Sequence, residues 1–578
     1  MAIRRPSITR SSARSGWGSA CSRWCCSASF RESSWTWSAF RPRASSEPGE
    51  RPAGEGMTAI AAAPRRDPAD ARQRARQDAL AAAAERLLGS RRLVIATNRG
   101  PVTFASGADG TLRPRRGSGG LVTALSQVGR HVPVTWLAAA MTEGDRRAAA
   151  DPRLIAQAVP GDAVRLRFAA IDRAVYEAAY NVIANPLLWF LQHQMWNLPE
   201  RPVIDAAVMR AWDHGYLPLN TAFARAVLSE VPVRDTAPRI MLHDYHLYLA
   251  ADAIRRARPS ALVSHFSHIP WPPSSLWQTI SPRIREAICA GLVASDVVGF
   301  QTERYAHNFL RSVESFLPDA HVDYRSRTVT RGRHVAHARH YPISIDVEAT
   351  RRVASSVAAR RRRRELLSQC PGPILVRVDR LEPSKNILRG FQAFEALLTR
   401  YPRLRGRLTF LAFLVPSRTN LREYGDYGRK VQASVDRINA RFGVAGHRPV
   451  RIYYENDYAQ ALAGLAIADV VLINPLIDGM NLVAKETAVV AENDAAIVLS
   501  ETAGAFDQMA DGVLSVAPAD VVGTAQAIAR GLEMPRAERA ARIDRLRRDV
   551  EREDITWWLR RQFEDLAEIG ERRGRGRA

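Results

Sequence analysis

Cysteine is scarce. Only 5 occur in 578 residues, and Cys21, Cys25 and Cys26 sit together near the N-terminus. Cys289 and Cys370 are left for the remainder, which excludes a disulfide framework and a cysteine-ligated zinc site; the body reads as cytoplasmic. Long apolar runs are missing too. None reaches the ~18 residues a membrane span needs, and Val470–Leu476 is strand-sized. No G-x-x-x-x-G-K-[ST] appears, so a P-loop nucleotidase is excluded. Gly117-Ser118-Gly119-Gly120 lacks the third spaced glycine of a dinucleotide fingerprint. Ala108-Asp109-Gly110-Thr111 lacks the first aspartate of a phosphatase loop, so no fused phosphatase is read.

What is abundant is positive charge. Lys plus Arg number 83 against 59 Asp plus Glu, a net +24. Such a balance suits anionic partners: nucleic acid, an anionic membrane or phosphorylated small molecules. The excess is spread along the chain, with clusters only at Arg360–Arg364 and Arg572–Arg577, which read as solvated helix faces and ends. An RNA-binding surface would want aromatics among those cations, and these clusters contain none. Neither nucleic acid nor membrane is therefore expected as a partner.

Residues 1–56 are rich in Arg, Ser, Trp and Pro without apolar periodicity, so no packed core is expected there. Ser19–Phe30 is broken by Arg23 and several serines and makes no secretory signal. Residues 1–56 are read as a disordered extension or as a mis-called segment upstream of a true start at Met57, and Ala69–Leu88 as a polar, alanine-rich helix. From Arg92 onward short apolar runs alternate with helical stretches. The runs include Leu93–Ala96, Ile240–Leu242, Leu262–Phe266, Val297–Phe300, Ile374–Val378, Leu408–Leu414, Val470–Ile473 and Ala496–Leu499. Asn386–Tyr401, Asn420–Phe442 and Ala519–Leu532 read as helices between them. Strand and helix in alternation predict parallel sheets covered on both faces. The stretch is too long for one sheet, and a boundary falls near Ile345–Ala349. The expectation is α/β: two doubly wound domains facing each other.

The candidate chemistry sits where such runs end. Gly119 and Gly120 precede the apolar stretch Leu121–Val128, and a glycine loop opening a helix lets backbone N–H groups approach a phosphate; an ordinary turn is the equal alternative. Asp478-Gly479-Met480-Asn481-Leu482-Val483-Ala484-Lys485-Glu486 follows a buried run and opens a helix, the place where open α/β sheets bind ligands. Its positive end could hold a diphosphate, and Glu486 could accept from ribose hydroxyls. A plain strand-turn-helix reads as well. Arg380 and Lys385, five apart after Ile374–Val378, can converge on one anion, and Arg418 is similarly placed after the next run. His243-Asp244-Tyr245-His246 and His268-Ile269-Pro270 invite a metal reading, but no third ligand has suitable spacing. A strand-end aspartate receiving sugar hydroxyls fits better.

Thr97-Asn98-Arg99, Gly119-Gly120, His243–His246, His268–Pro270, Gly299-Phe300-Gln301-Thr302, Arg380 with Lys385, Pro416-Ser417-Arg418 and Asp478–Glu486 occur in one order. Together they resemble the trehalose-6-phosphate synthases of glycosyltransferase family 20, over roughly residues 92–570. The resemblance implies a GT-B fold, two Rossmann-like domains across a cleft. It implies a retaining, metal-independent hexosyltransferase with no cofactor, moving glucose from a nucleotide sugar, usually UDP-glucose, to glucose 6-phosphate. Residues 91–345 would be the acceptor domain and 346–570 the nucleotide-sugar domain, with the last helix returning to the first. Residues 1–90 would be an extension plus leading helix, and 571–578 a basic tail.

By position, Arg99, Tyr180 and Arg418 would grip the acceptor phosphate, and Trp189 and Asp244 the acceptor sugar. Gly119 and Gly120 would lie by the donor. Arg380 and Lys385 would meet its diphosphate, and Leu482, Val483, Ala484, Lys485 and Glu486 its diphosphate and ribose. Asp478 would bond the transferred glucose, with His268 beside it. The catalytic set is then Asp244, His268, Arg380, Lys385 and Asp478. Two departures bear on the substrates: Ala139 stands where many relatives carry a second aromatic, and Asn456 where an aromatic is expected near the donor base. The alternatives are a sibling with another acceptor, glucosylglycerol-phosphate synthase or a pseudo-glycosyltransferase, or a catalytically silent regulatory homologue. Intact Arg99, Asp244, Arg380, Lys385, Arg418, Asp478 and Glu486 speak against silence. Self-association, the donor base and the exact acceptor stay open.

Overall fold

Short runs of aliphatic side chains buried on both faces build the framework, the pattern of strands covered by helices on either side. Leu93–Thr97, Leu262–Phe266, Val470–Ile473 and Ala496–Ser500 are buried throughout. The computed structural model describes residues 68–575 except 108, 118–124, 126, 127, 131, 160–162 and 418–421, all within one unit, Arg66–Ala578. Gly119, Gly120 and Arg418 therefore lie outside the described residues.

Two sheets carry the site. The first has nine strands in the order Val164–Ala169, Val134–Ala139, Leu93–Thr97, Arg239–His243, Leu262–Phe266, Val297–Phe300, His334–His340, Thr328–Arg331, Ala320–Asp323. The second has six: Val450–Tyr453, Thr409–Pro416, Ile374–Leu381, Val470–Ile473, Ala496–Ser500, Leu514–Val516. All pairs in the second are parallel. In the first, Thr328–Arg331 pairs antiparallel with both neighbours, so this sheet is mixed rather than parallel throughout. A hairpin connection there needs no crossover helix. A separate hairpin, Val102–Ser106 with Leu112–Arg116, stands off both sheets.

The C-terminal helix Ile555–Arg575 fastens onto the first sheet. Trp558 Nε1 donates to the Tyr341 carbonyl at 3.1 Å, and Tyr341 Oη donates to Asp565 at 2.7 Å. Arg573 reaches the fully buried Asp296, which Arg255 also pairs at 2.6 Å. The leading helix Pro68–Leu88 joins it through a forked Arg86–Glu571 pair, 2.7 and 2.8 Å. Among the described residues no helix is long and apolar enough to cross a membrane.

Candidate active site

The strand Ile374–Leu381 runs three residues beyond its apolar stretch, so Arg380 lies on the strand end rather than in a loop. A 3-10 turn, Pro383–Lys385, then swings Lys385 back, ending at Asn386 in the left-handed region (φ 55°). Asparagine tolerates that backbone, and here its Nδ2 donates to the Asn474 and Pro518 carbonyls at 2.9 and 2.7 Å. Beneath the turn, fully buried Arg377 forks onto Asp379 (3.1 and 2.8 Å) and donates to the Lys385 carbonyl at 3.0 Å. An arginine inside an apolar run was the signal for this support, which sequence reasoning passed over.

Lys385 Nζ lies 2.5 Å from Asp478 Oδ2, both side chains largely buried. Burial works against both charges, but the attraction between them prevails. The ammonium is held above its ordinary range, while Lys385, with His193 and Arg380 further off, holds the Asp478 carboxyl below the usual carboxylate range. Asn481 Nδ2 adds a donor to the same oxygen at 3.1 Å, and Tyr305 Oη donates to the Asp478 carbonyl at 3.0 Å. Asn481, at φ 85°, also caps the helix Leu482–Val490 by accepting from the Ala484 N–H. That donor is taken, so of the expected backbone donors Leu482 and Val483 are the ones in the first turn without an intrahelical acceptor.

Lys485 departs from its expected place. Its side chain is buried, and Nζ donates to the Ile343 carbonyl at 2.8 Å; burial pulls its pKa down to about 7. The Lys485 ammonium is thus already engaged by the backbone. Glu486 is half-buried and accepts from Tyr458 Oη at 3.0 Å, and burial pushes its carboxyl up to about 7.

The first sheet supplies a neutral wall. The Thr97–Arg99 turn is pinned from below: Trp136 Nε1 donates to Thr97 Oγ1 at 2.7 Å, and Thr97 Oγ1 to the Arg99 carbonyl at 2.5 Å. The Arg99 side chain is exposed. Tyr180 and Trp189 sit on one π-helical stretch, Ala179–Trp189, a rare geometry that often marks functional sites. Tyr180 stacks on Tyr176 and His246, with centroids 5.4 and 5.9 Å apart. Trp189 stacks on His193 at 3.9 Å and lies 5.4 Å beneath the Arg380 guanidinium, which joins an aromatic of the first sheet's side to a cation of the second. Arg380 also pairs with buried Glu382 at 2.9 Å.

Asp244 follows its strand at φ 74°, and its Oδ1 accepts from the His268 N–H at 3.4 Å. Burial lowers His268 to about 3 and His193 to about 4, so both imidazoles are neutral. His193, beside Asp478 and Lys385 electrostatically, was not foreseen; nothing in its local sequence singles it out. The two sides touch at Gly479, where an added Cβ would come within 2.1 Å of the His268 carbonyl oxygen. Among the described residues no group of three or more His, Cys, Asp or Glu stands close enough to hold a metal. The geometry thus gathers Arg380, Lys385, Asp478, His268, Asp244 and Trp189 around one junction between the sheets.

Comparison with known proteins follows the same lines. The model of Glycosyltransferase family 20 matches residues 91–568. A trehalose-6-phosphate synthase of Mycobacterium avium is 32% identical, over 84% of this chain and 97% of that protein. A validamine 7-phosphate valienyltransferase of Streptomyces hygroscopicus is 30% identical, over 82% and 94%. Of two longer curated relatives the chain spans 62% and 61%. A solved structure, the UDP-forming alpha,alpha-trehalose-phosphate synthase of Burkholderia xenovorans with glucose-6-phosphate, is 25% identical. It superposes with a TM-score of 0.70, covering 82% of this chain and 99% of that one. The architecture is the GT-B fold.

Proposed function

The chain belongs to glycosyltransferase family 20, and we propose that it moves glucose from UDP-glucose to glucose 6-phosphate with retention, giving trehalose 6-phosphate. The observation that carries this reading is the junction itself. From the second sheet's side Arg380 lies over Trp189 of the first, Lys385 holds Asp478, and Gly479 beside it closes on the His268 carbonyl.

Breaking a glycosyl–phosphate bond develops negative charge on the leaving diphosphate. Preorganised Arg380 and Lys385, with the Leu482 and Val483 N–H groups at a helix N-terminus, would stabilise it as it forms. Glu486 would accept from the ribose, and Asp478 from the transferred glucose beside neutral His268. Asp244 and Trp189 would seat the acceptor sugar, and Arg99, Tyr180 and Arg418 its phosphate. Gly119 and Gly120 would lie by the donor. Asp478 is committed to Lys385 and Asn481, which fits a holding role better than that of a nucleophile. Retention then follows if leaving oxygen and attacking hydroxyl share one face of the sugar, with no covalent intermediate.

The valienyltransferase relative, covered over 94% of its length, supports a second reading in which the same cleft couples a cyclitol. A donor-by-acceptor assay with mass spectrometry of the product separates them. Trehalose 6-phosphate from UDP-glucose and glucose 6-phosphate is the expected outcome. Turnover only with a cyclitol nucleotide, or with another phosphorylated acceptor, would overturn it.

A further inference from the structure

The Gly299–Thr302 motif has no part in the chemistry above, yet Gln301 touches the site. It is buried, and Nε2 lies 3.4 Å from His268 Nδ1. Its other amide atom, Oε1, accepts from the backbone N–H of Ile343 at 2.9 Å. A backbone N–H can only donate, so this bond fixes which end of the amide is oxygen. The NH₂ end must then face His268 Nδ1. That nitrogen has to be the acceptor, and the ring's single proton belongs on Nε2. There His243 Nδ1, 3.1 Å away, receives it.

Ile343 is itself clamped through its other backbone group. Its carbonyl accepts the Lys485 ammonium at 2.8 Å, from the same helix that presents Leu482, Val483 and Glu486. One residue in the link between the two sheets thus joins, through its two backbone groups, the helix at the candidate donor site to the imidazole across the junction. We propose that Gln301 is a positioning residue that locks His268 in its neutral Nε2–H tautomer, and that Lys485 holds the lock through the Ile343 backbone. The groups facing His268 are His243, the more distant His265 and the Asp244 carboxylate on its backbone N–H; Phe266 and Trp558 complete its surroundings as uncharged rings. Burial supports the neutral form, holding the ring to about 3.

The catalytic consequence rests on the proposed function, but the tautomer does not. The test therefore begins with ¹⁵N-histidine NMR of the unliganded full chain, the His268 signals being assigned by their loss in His268→Asn. Expected is a protonated Nε2 with a bare Nδ1. Protonated Nδ1 in the wild type would overturn the proposal whatever the enzyme's substrate. Gln301→Glu keeps the bond from Ile343 but can no longer donate to the ring. It should move a proton onto Nδ1, add an ionisation to the pH profile of kcat that the wild type lacks, and lower kcat by about 10². Lys485→Met should move the same signals in the same direction, less far. Unchanged His268 signals and an unchanged profile in Gln301→Glu would reduce Gln301 to a packing residue.

Discussion

The two walls of the junction differ in kind. On the second sheet's side stand charges already paired: Lys385 with Asp478, Arg380 with Glu382, and Arg377 with Asp379 beneath. On the first sheet's side stand imidazoles that burial keeps neutral, His243, His268 and His193, among stacked aromatics. Charge costs free energy when buried, so a protein keeps it only where pairing offsets the cost. The difference implies a division of labour. The charged wall answers charge that develops during reaction, while the imidazoles and aromatics of the other wall orient hydroxyl groups, with Arg99 and Asp244 as its charged exceptions at the acceptor end.

The largest effect should come from breaking the charged wall. Lys385→Ala and Arg380→Ala should each lower kcat by about 10²–10³, the scale for one preorganised donor facing developing charge. Circular dichroism and thermal melts should show Arg380→Ala folded, since that side chain is nearly half exposed. Wild-type turnover in a folded variant would remove these cations from the leaving group. Lys385→Ala also leaves Asp478 buried without its ammonium, so Lys385→Arg serves as the partial rescue that separates charge from packing.

Next in size is a change at the seam between the walls. Gly479→Ala would press a methyl group onto the His268 carbonyl, backbone against backbone, and something must shift. Misplacing reacting groups by about 1 Å can cost on the order of 10². We expect a loss of about 10- to 100-fold in kcat with a folded protein. A structure of the variant with unmoved backbone and full activity would show that the walls need no close approach.

The charged wall was the more legible of the two, for a physical reason. Its residues follow one another along short strand-to-helix segments, so Arg380 with Lys385, and Asp478 through Glu486, could be read as local motifs. What lay hidden depends on partners distant in sequence. His193 gains its place only by stacking on Trp189, and Lys485 spends its ammonium on Ile343, 142 positions away. Arg377, inside an apolar run, braces a turn through the Lys385 carbonyl eight positions on. The strands found from apolar runs were right where both faces are buried. The antiparallel strands Ala320–Asp323 and Thr328–Arg331 escaped because their faces are only partly covered and their composition is polar. The π-helical stretch Ala179–Trp189 reads as an ordinary apolar helix in sequence, since its extra residue per turn leaves no compositional mark.

The acceptor end of the neutral wall gives a smaller, more selective effect. Exposed Arg99 faces solvent from a pinned turn, so its loss should leave the fold intact. Arg99→Ala should raise the KM for the sugar phosphate by about 10-fold, the worth of one charge-assisted bond, and leave the nucleotide-sugar KM within about 2-fold. An increase confined to the nucleotide sugar would reassign the turn to the other substrate.

The smallest effect, and the one that depends most on pH, belongs to Glu486. It is the charged wall's exception, a carboxyl that burial lifts from 4.5 to about 7 against the opposing bond from Tyr458. Between those two values the folded protein binds a proton that the unfolded chain has released. This group's contribution to stability is therefore full below about 4.5, falls as pH rises through about 7, and stays low above it. Glu486→Gln, which never ionises, should melt a few degrees higher than the wild type at pH 8 and at nearly the same temperature at pH 4.5. Activity should run the other way. A carboxylate accepts from both hydroxyls of a ribose, whereas an amide or a protonated acid accepts at one oxygen and must donate at its other end. The variant's nucleotide-sugar KM should exceed the wild type's several-fold at pH 8, and the gap should narrow at pH 6, where the wild-type carboxyl is itself largely protonated. Melting curves at the two pH extremes and KM at pH 6 and 8 decide the matter. A pH-independent KM gap would mean that Glu486 acts by shape alone. A melting difference of one size at every pH would mean that its carboxyl is not buried enough to feel the neighbouring wall.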